Sequence, residues 1–270
     1  MIDDDANKAV ALNGHSAFNY SGLADLSGRR TDLWLSEVLA EVGNLTDQTV
    51  NVIAERATAA FSKVKLPAAL KRHVFIGTGW TDRDQEPGIR PYACIISNAL
   101  DDHLHWLPDA RDSFSARVMF NGPLPWVWGF GQNVPRHLVT EFHRSVRNQT
   151  RRGLGPQAAI HTMARLVRNA AQRNAAIGRN LMAISLPRAG LNGQIATTLA
   201  SDGRVKSDQA SFLFIPHDNP DEFVTVAPNI VTGGSIMRSL KIGRDGFPYL
   251  PPMPSLARPG NPGLPLRDSL

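Results

Sequence analysis

The chain has 270 residues, of which 42% are hydrophobic and 20% are charged, and a formal net charge of +5. A chain of this length and composition buries a core of its own, which excludes a disordered protein and one that needs a disulfide or metal ion to fold. The single cysteine, Cys94, lies in an apolar run, so we expect a buried thiol rather than a nucleophile. No apolar run approaches the ~20 residues that span a membrane, and the N-terminus lacks a signal-peptide pattern. We therefore expect a cytoplasmic protein with no membrane partner.

The first predicted element is a β-hairpin. Lys8–Leu12 and His15–Ser21 are read as its strands, and Asn13-Gly14 between them is the dipeptide that most favours a tight hairpin turn.

Four helices are predicted, in two pairs. Thr31 is expected to cap the first, which ends at Gly43-Asn44. Thr46 or Asp47 is expected to cap the second, whose apolar positions reach Phe61 and whose far boundary is Pro67. Apolar residues at helical spacing also follow Pro135 and Pro156, since proline is favourable at the first helical position. Gly178 is expected to end the fourth helix.

Strand-like runs separate and follow the helix pairs. They are Arg72–Trp80, Tyr92–Asn98, Ser113–Phe120, Leu181–Leu186, Ala210–Ile215 and Phe223–Val226. Residues 244–270 are rich in proline and glycine, which predicts an extended or disordered tail without helix or sheet.

The element order predicts the fold class. Paired helices separated by strands differ from the regular alternation of a parallel doubly wound sheet. We expect one domain over residues 1–243, of the α+β class, in which two antiparallel sheets pack together with a helix pair on each outer face.

This order resembles that of the N-terminal nucleophile (Ntn) hydrolases, and of proteasome β-subunits in particular. Lys8 stands fourteen residues before Gly22-Leu23, a spacing similar to that of the family's catalytic lysine. The segment YSGLA…TDLWL also resembles bacterial proteasome-like proteins of undefined role. The resemblance implies a four-layer αββα sandwich and, for an active member, a threonine-type peptidase or amidohydrolase.

The catalytic positions of that family are changed in this chain. The family's nucleophile lies on a hairpin before the lysine strand, and we expect this first hairpin to be missing before Lys8. Its Gly-Ser-Gly corresponds to Gly129-Phe130-Gly131, and Asn174 and Ile177 stand where it has a supporting aspartate and serine. Phenylalanine and isoleucine make no side-chain hydrogen bonds.

The resemblance therefore implies a catalytically silent relative, a pseudoenzyme acting as a scaffold or assembly subunit. The alternative is an active hydrolase whose true N-terminus lies upstream of Met1. A third reading makes Lys8 simply a solvated charge.

Arginine is concentrated in the second half of the chain. Between positions 136 and 188 there are ten arginines and one acidic residue, while residues 1–65 carry nine acidic and six basic residues. This basic surface has three interpretations: a solvated face, a contact with a second copy or a related subunit, or a nucleic-acid footprint. Its members on the predicted helices are Arg144, Arg147, Arg151, Arg152, Arg165 and Arg168.

The remaining candidate sites are weaker. Asp102-His103 and His105 offer a possible pair of metal-ligating imidazoles, but with no third ligand a surface loop is favoured. Gly233-Gly234-Ser235 lacks the lysine of a phosphate-binding loop. His15 precedes Ser21 without a nucleophile-elbow motif. No cofactor or metal ion is expected.

Overall fold

The chain is a mixed α/β protein whose elements follow the predicted order closely. The computed structural model describes residues 7–26, 28–44, 46–83, 86–120, 136–153, 156–173, 181–186, 210–215, 224–225, 227–239, 241–242 and 248–249. The helices are α1 (Thr31–Val42), α2 (Asp47–Phe61), α3 (Arg136–Arg151) and α4 (Pro156–Arg173). The strands are β1 (Ala9–Leu12), β2 (Ser16–Ser21), β3 (Val74–Arg83), β4 (Glu86–Ser97), β5 (Ser115–Phe120), β6 (Leu181–Ser185), β7 (Ser211–Ile215), β8 (Val224–Thr225), β9 (Asn229–Thr232), β10 (Ser235–Met237), β11 (Lys241–Ile242) and β12 (Pro248–Tyr249).

A seven-stranded sheet is the centre of the described structure. Its strand order is β10-β9-β1-β2-β3-β4-β5. Neighbouring strands are antiparallel except β1 and β9, which pair in parallel with Val10 opposite Asn229. The sheet is therefore mixed, and the expectation of a purely antiparallel sheet is wrong at this pair. Strands β9 and β10 were not predicted from the sequence.

The opening hairpin is confirmed. Asn13 and Gly14 both have positive φ, 51° and 68°, and the backbone N–H of His15 donates to the carbonyl of Leu12. A turn with two left-handed residues matches the twist of the flanking strands. The Asn13 side chain also donates to the carbonyl of Gly43 and accepts from the N–H of Gly233, so this turn joins the end of α1 to the β9–β10 turn.

The first helix pair covers one face of this sheet. Val10, Phe18, Phe75 and Ile96 alternate with residues of the opposite face and pack against the buried apolar stripes of α1 and α2. Burying each such side chain stabilises the fold by about 1.5–3 kcal/mol. The principal core therefore lies between the seven-stranded sheet and α1 and α2.

The capping residues predicted for these two helices are confirmed in part. Thr46 accepts from the backbone N–H of Thr49, whose hydroxyl accepts from the N–H of Thr46, so the predicted cap of α2 is confirmed as a capping box. Gly43, with φ of 76°, ends α1 as predicted. Thr31 does not cap α1. It is the first helical residue, and its hydroxyl donates to the carbonyl of Leu23.

The second helix pair packs on a second, smaller sheet. β6 and β7 form an antiparallel pair, and Ile160 of α4 packs against Ala183 and Leu213 from those strands. The indole N–H of Trp80 donates to the carbonyl of Leu186 at 2.6 Å, so the end of β6 contacts the face of β3 that α1 and α2 leave uncovered.

Two further departures from the sequence predictions concern strands. β3 and β4 extend well beyond Arg72–Trp80 and Tyr92–Asn98, and they pair as far as Arg83 opposite Glu86. In the predicted tail, Pro248 pairs with Ile242 in a three-stranded sheet of β12, β11 and β8. The expectation that residues 244–270 form no sheet is therefore wrong for Pro248–Tyr249.

Candidate functional site

Lys8, the candidate catalytic residue, lies at the exposed end of the opening hairpin. It precedes β1, its side chain is exposed, and its backbone carbonyl accepts from the N–H of Tyr20. Strand alternation places Lys8 on the same sheet face as Val10 and Leu12, the face covered by α1 and α2. Among the described residues, no hydrogen bond or ion pair joins the Lys8 side chain to a hydroxyl or thiol group.

The side chain that Lys8 influences is a buried histidine, His73. The imidazole has no solvent exposure, and its Nδ1 accepts from the backbone N–H of Leu23 at 3.1 Å. The proton is therefore assigned to Nε2, which has no hydrogen-bond partner among the described residues. Burial, with a smaller contribution from the positive charge of Lys8, lowers the pKa of His73 to about 3.

Aromatic rings enclose His73. Tyr20 stacks on the imidazole with ring centroids 5.4 Å apart, and the rings of Phe61, Phe75 and Phe114 approach it to between 4.4 and 6.5 Å. A cationic imidazole would lose its hydration in this buried position, and no carboxylate among these contacts would compensate for that loss. The histidine is neutral at physiological pH and acts as a structural acceptor for the Leu23 amide.

Hydrogen bonds from β4 and its following loop hold the backbone of His73. The Asn98 carboxamide accepts from the His73 N–H at 2.8 Å and donates to the carbonyl of Lys71 at 3.1 Å. The Ser97 hydroxyl donates to the His73 carbonyl at 3.0 Å. This cluster was not predicted from the sequence, although a histidine at the start of the apolar run HVFIG was a signal for it.

Among the described residues, two candidate nucleophiles, the thiol of Cys94 and the hydroxyl of Ser16, are both buried. Burial raises the pKa of the Cys94 thiol to about 12, so it stays protonated and is not a nucleophile, as predicted. The Ser16 hydroxyl lies 2.9 Å from Nδ1 of His15, but both side chains are buried. Burial also lowers the pKa of His15. Ser16 packs against Gly79, where an added Cβ would lie 2.5 Å from its hydroxyl oxygen.

A second buried polar cluster ties β9 to the start of α1. Arg30 donates to the Asp32 carboxylate through Nε at 3.0 Å and through its terminal nitrogen at 3.3 Å. The Asn229 amide donates to the same carboxylate at 3.2 Å and to the Ser36 hydroxyl at 3.1 Å, and its oxygen accepts from the Ser239 N–H. The carboxylate is satisfied, so this cluster stabilises the fold.

The predicted histidine pair lies in a loop that Asp101 organises. The Asp101 carboxylate accepts from the backbone N–H groups of His103 and His105, both at 2.8 Å, and its other oxygen is 3.4 Å from His105 Nδ1. These contacts, with the backbone bond from His105 largest, lower the pKa of Asp101. Both imidazoles are exposed, and within the described ranges no three metal-type side chains converge.

Gly233 and Gly234 form the turn between β9 and β10, both with positive φ. The N–H of Gly233 donates to Asn13, so this amide is already engaged and the anion-cradle interpretation is not supported. The degenerate positions Gly129, Phe130, Gly131, Asn174 and Ile177 lie outside the described residues.

The basic surface residues lie on or next to α3 and α4. Arg144, Arg147, Arg151, Arg152 and Arg165 are exposed, and Arg168 is half-buried. In the part of the chain that the structure describes, none of the helices is long and apolar enough to cross a membrane.

Comparison of the chain with protein-family models, with curated proteins and with solved structures found no match. The relationship to the N-terminal nucleophile hydrolases therefore stays a prediction.

Proposed function

We propose that the chain is a proteasome-like protein of the N-terminal nucleophile fold that does not hydrolyse amides and acts as a scaffold or assembly subunit. The packing of the helix pairs supports this fold. One pair covers the seven-stranded sheet, α4 packs on β6 and β7, and Trp80 contacts Leu186 from the opposite sheet face. These contacts support the layer order helix, sheet, sheet, helix of a four-layer αββα sandwich.

The chemistry around Lys8 supports the loss of hydrolysis. A lysine assists an Ntn nucleophile only when its ammonium group lies beside that nucleophile. Lys8 is exposed, and its backbone carbonyl accepts from the N–H of Tyr20, whose ring stacks on His73. Cys94 is buried with a pKa near 12, and Ser16 is buried beneath Gly79.

An exposed apolar segment carries the proposed assembly role. The residues after α2, Leu66-Pro67-Ala68-Ala69-Leu70, are all exposed, with 41% of Leu66 and 60% of Leu70 open to solvent. Contiguous exposed apolar surface rimmed by polar residues is typical of protein–protein contacts. Lys63, Lys65 and Lys71 provide such a rim.

This segment is ordered rather than a loose loop. Residues Ala68–Leu70 form a 3₁₀ turn, closed by the N–H of Leu70 donating to the carbonyl of Pro67 at 2.9 Å. The Ala110 N–H and the Arg72 guanidinium donate to the carbonyls of Ala68 and Ala69. A preformed apolar surface loses little conformational entropy on binding, so this segment is suited to a protein contact, and we propose a second copy of the chain or a related subunit as its partner.

Incubation of the purified chain with amide and peptide substrates tests the proposed loss of activity. We expect no turnover by the parent chain or by a Lys8→Ala variant. Turnover that the Lys8→Ala substitution abolishes would instead establish the alternative, a peptidase or amidohydrolase.

A further inference from the structure

The outer surface of α3 and α4 carries an unusual density of one cation. Between positions 136 and 173 the chain has eight arginines, one glutamate and no lysine. Guanidinium groups present a planar fork of donors that matches a phosphate, whereas lysine presents a point charge. The exclusive use of arginine therefore favours phosphate as the group this surface recognises.

Three of these arginines form a stripe on α3. Arg144, Arg147 and Arg151 are exposed and follow one another at three- and four-residue spacing. The buried residues Leu138, Phe142 and Val146 lie on the opposite side of the helix. Within the described residues none of the three arginines forms an ion pair, and the stripe is about 10 Å long at 1.5 Å per residue.

α4 contributes a further arginine in the groove between the two helices, which Glu141 of α3 also lines. Gln149 donates to the Thr162 hydroxyl at 2.7 Å, and Arg173 contacts His137 at 3.3 Å, so the two helices run antiparallel. Arg165 is exposed and lines the groove between the helices. Arg152 extends the surface just beyond the end of α3.

Most acidic charges of the first helix pair are already engaged. Glu37 and Glu41 are engaged by Arg29 and Arg56, and Asp32 is buried with Arg30, which leaves Asp47 and Glu55 of α2 as exposed carboxylates outside these pairs. These helices of a second copy would therefore offer fewer such carboxylates than this surface has arginines. A polymer that carries one negative charge every ~1.7 Å satisfies them better.

We propose that the arginine surface, defined by Arg144, Arg147, Arg151, Arg152 and Arg165, binds the phosphate backbone of double-helical nucleic acid without sequence preference. Single strands are usually held by exposed aromatic side chains on which bases stack. Phe142 is the one Phe, Tyr or Trp in the described part of α3 and α4, and it is buried. The stripe on α3 spans about three base pairs at a rise of ~3.4 Å. This inference goes beyond the proposed assembly role and does not depend on it.

Fluorescence anisotropy tests this inference, with the full chain, a labelled 20-base-pair DNA duplex and the corresponding single strand over a range of salt concentrations. We expect the parent to prefer the duplex, with an affinity that falls steeply as salt rises. Arg144→Ala, Arg147→Ala and Arg151→Ala together are expected to weaken binding at low salt by at least ~10-fold and to reduce the slope of log K against log salt by about 2–3.

Two variants serve as controls. Arg29→Ala, Arg56→Ala and Arg111→Ala together remove the same charge from exposed positions elsewhere and are expected to change the slope by less than about 1. Lysine at positions 144, 147 and 151 keeps the charge and is expected to retain most of the slope.

Four results would overturn the proposal. They are no duplex binding by the parent, tighter binding of the single strand, a slope that the triple alanine variant leaves unchanged, and equal effects of the two alanine variants. Loss of an oligomer in the triple alanine variant, with no duplex binding by the parent, would identify the surface as a subunit contact instead.

Discussion

Asn229, the first residue of β9, donates its side-chain amide to the carboxylate of Asp32 at 3.2 Å across 197 residues of sequence. The same carboxamide donates to Ser36 and accepts from the N–H of Ser239. One buried side chain thus ties the start of α1 to β9, the strand that pairs in parallel with β1.

Replacing Asn229 with alanine tests this connection. The substitution leaves a buried carboxylate with one donor fewer and the Ser239 N–H without its acceptor, so we expect a loss of about 3 kcal/mol in the free energy of unfolding. Denaturant unfolding measures this change. Asn51→Ala, at an exposed position in α2, is the matched control and is expected to cost less than about 0.5 kcal/mol. Equal effects of the two substitutions would contradict the assigned role.

His73 predicts a specific dependence of stability on pH. Its pKa is about 3 in the folded chain and near 6.5 when unfolded, so the unfolded state binds the proton first as pH falls. The contribution of His73 to the free energy of unfolding is complete above pH 6.5. It declines from there down to pH 3, by about 1.4 kcal/mol per pH unit. We expect the parent to lose about 2 kcal/mol more than a His73→Phe variant between pH 7 and pH 5.

Unfolding curves at both pH values measure this difference. His161→Phe replaces an exposed histidine and is expected to leave the dependence unchanged. A His73→Phe variant with the pH dependence of the parent would show that His73 is already protonated or exposed.

Gly22 allows β2 to pass beside His73. An alanine Cβ at this position would lie 2.4 Å from Nδ1 of His73 and 2.7 Å from the carbonyl of Arg72, and φ is +135°. Gly28 also has positive φ, +90°, but open space around its Cβ position. We expect Gly28→Ala to cost about 1–2 kcal/mol from backbone strain alone.

For Gly22→Ala we expect the loss in the free energy of unfolding to be about 2 kcal/mol larger than for Gly28→Ala, because overpacking adds to the backbone strain. Thermal or denaturant unfolding of both variants separates the two contributions. Similar losses in the two variants would mean that the neighbourhood of His73 adapts to the added methyl group.

Cys94 is predicted to be unreactive in the folded chain. Its thiol has no solvent exposure and a pKa near 12, so both access and thiolate concentration are minimal. An aromatic disulfide reagent should titrate no thiol in the native protein and one per chain in denaturant. Reaction in native buffer at the rate of a free thiol would contradict the position of Cys94 in the core.

The elements best predicted from the sequence are those whose signal is local. Asn13-Gly14 specifies its turn, Thr46 its capping box and Gly43 the end of α1, because each signal acts within a few residues. The periodic apolar positions of α3 and α4 were similarly sufficient to predict these two helices.

What the sequence did not predict depends on distant partners. From the sequence alone Asn229 is a polar residue expected in a loop, and only the fold brings Asp32 beside it. β9 is recognisable as a strand only through its pairing with β1. β4 contains Pro87, Gly88 and Pro91, which favour a loop, yet pairing with β3 keeps this segment extended. The role of His73 similarly arises from four aromatic rings on separate elements and the amide of Leu23.

The proposed assembly role depends most directly on the exposed apolar segment after α2, residues 66–70. Sedimentation velocity of the parent at several concentrations, compared with a Leu66→Glu and Leu70→Glu double variant, measures it. A control with Gln48→Glu and Asn51→Glu adds the same charge to exposed positions of α2. We predict that the parent and the control self-associate and that the Leu66/Leu70 variant sediments as a folded monomer. A parent chain that is monodisperse and monomeric at all concentrations, or an oligomer that the Leu66/Leu70 variant retains, would contradict the account.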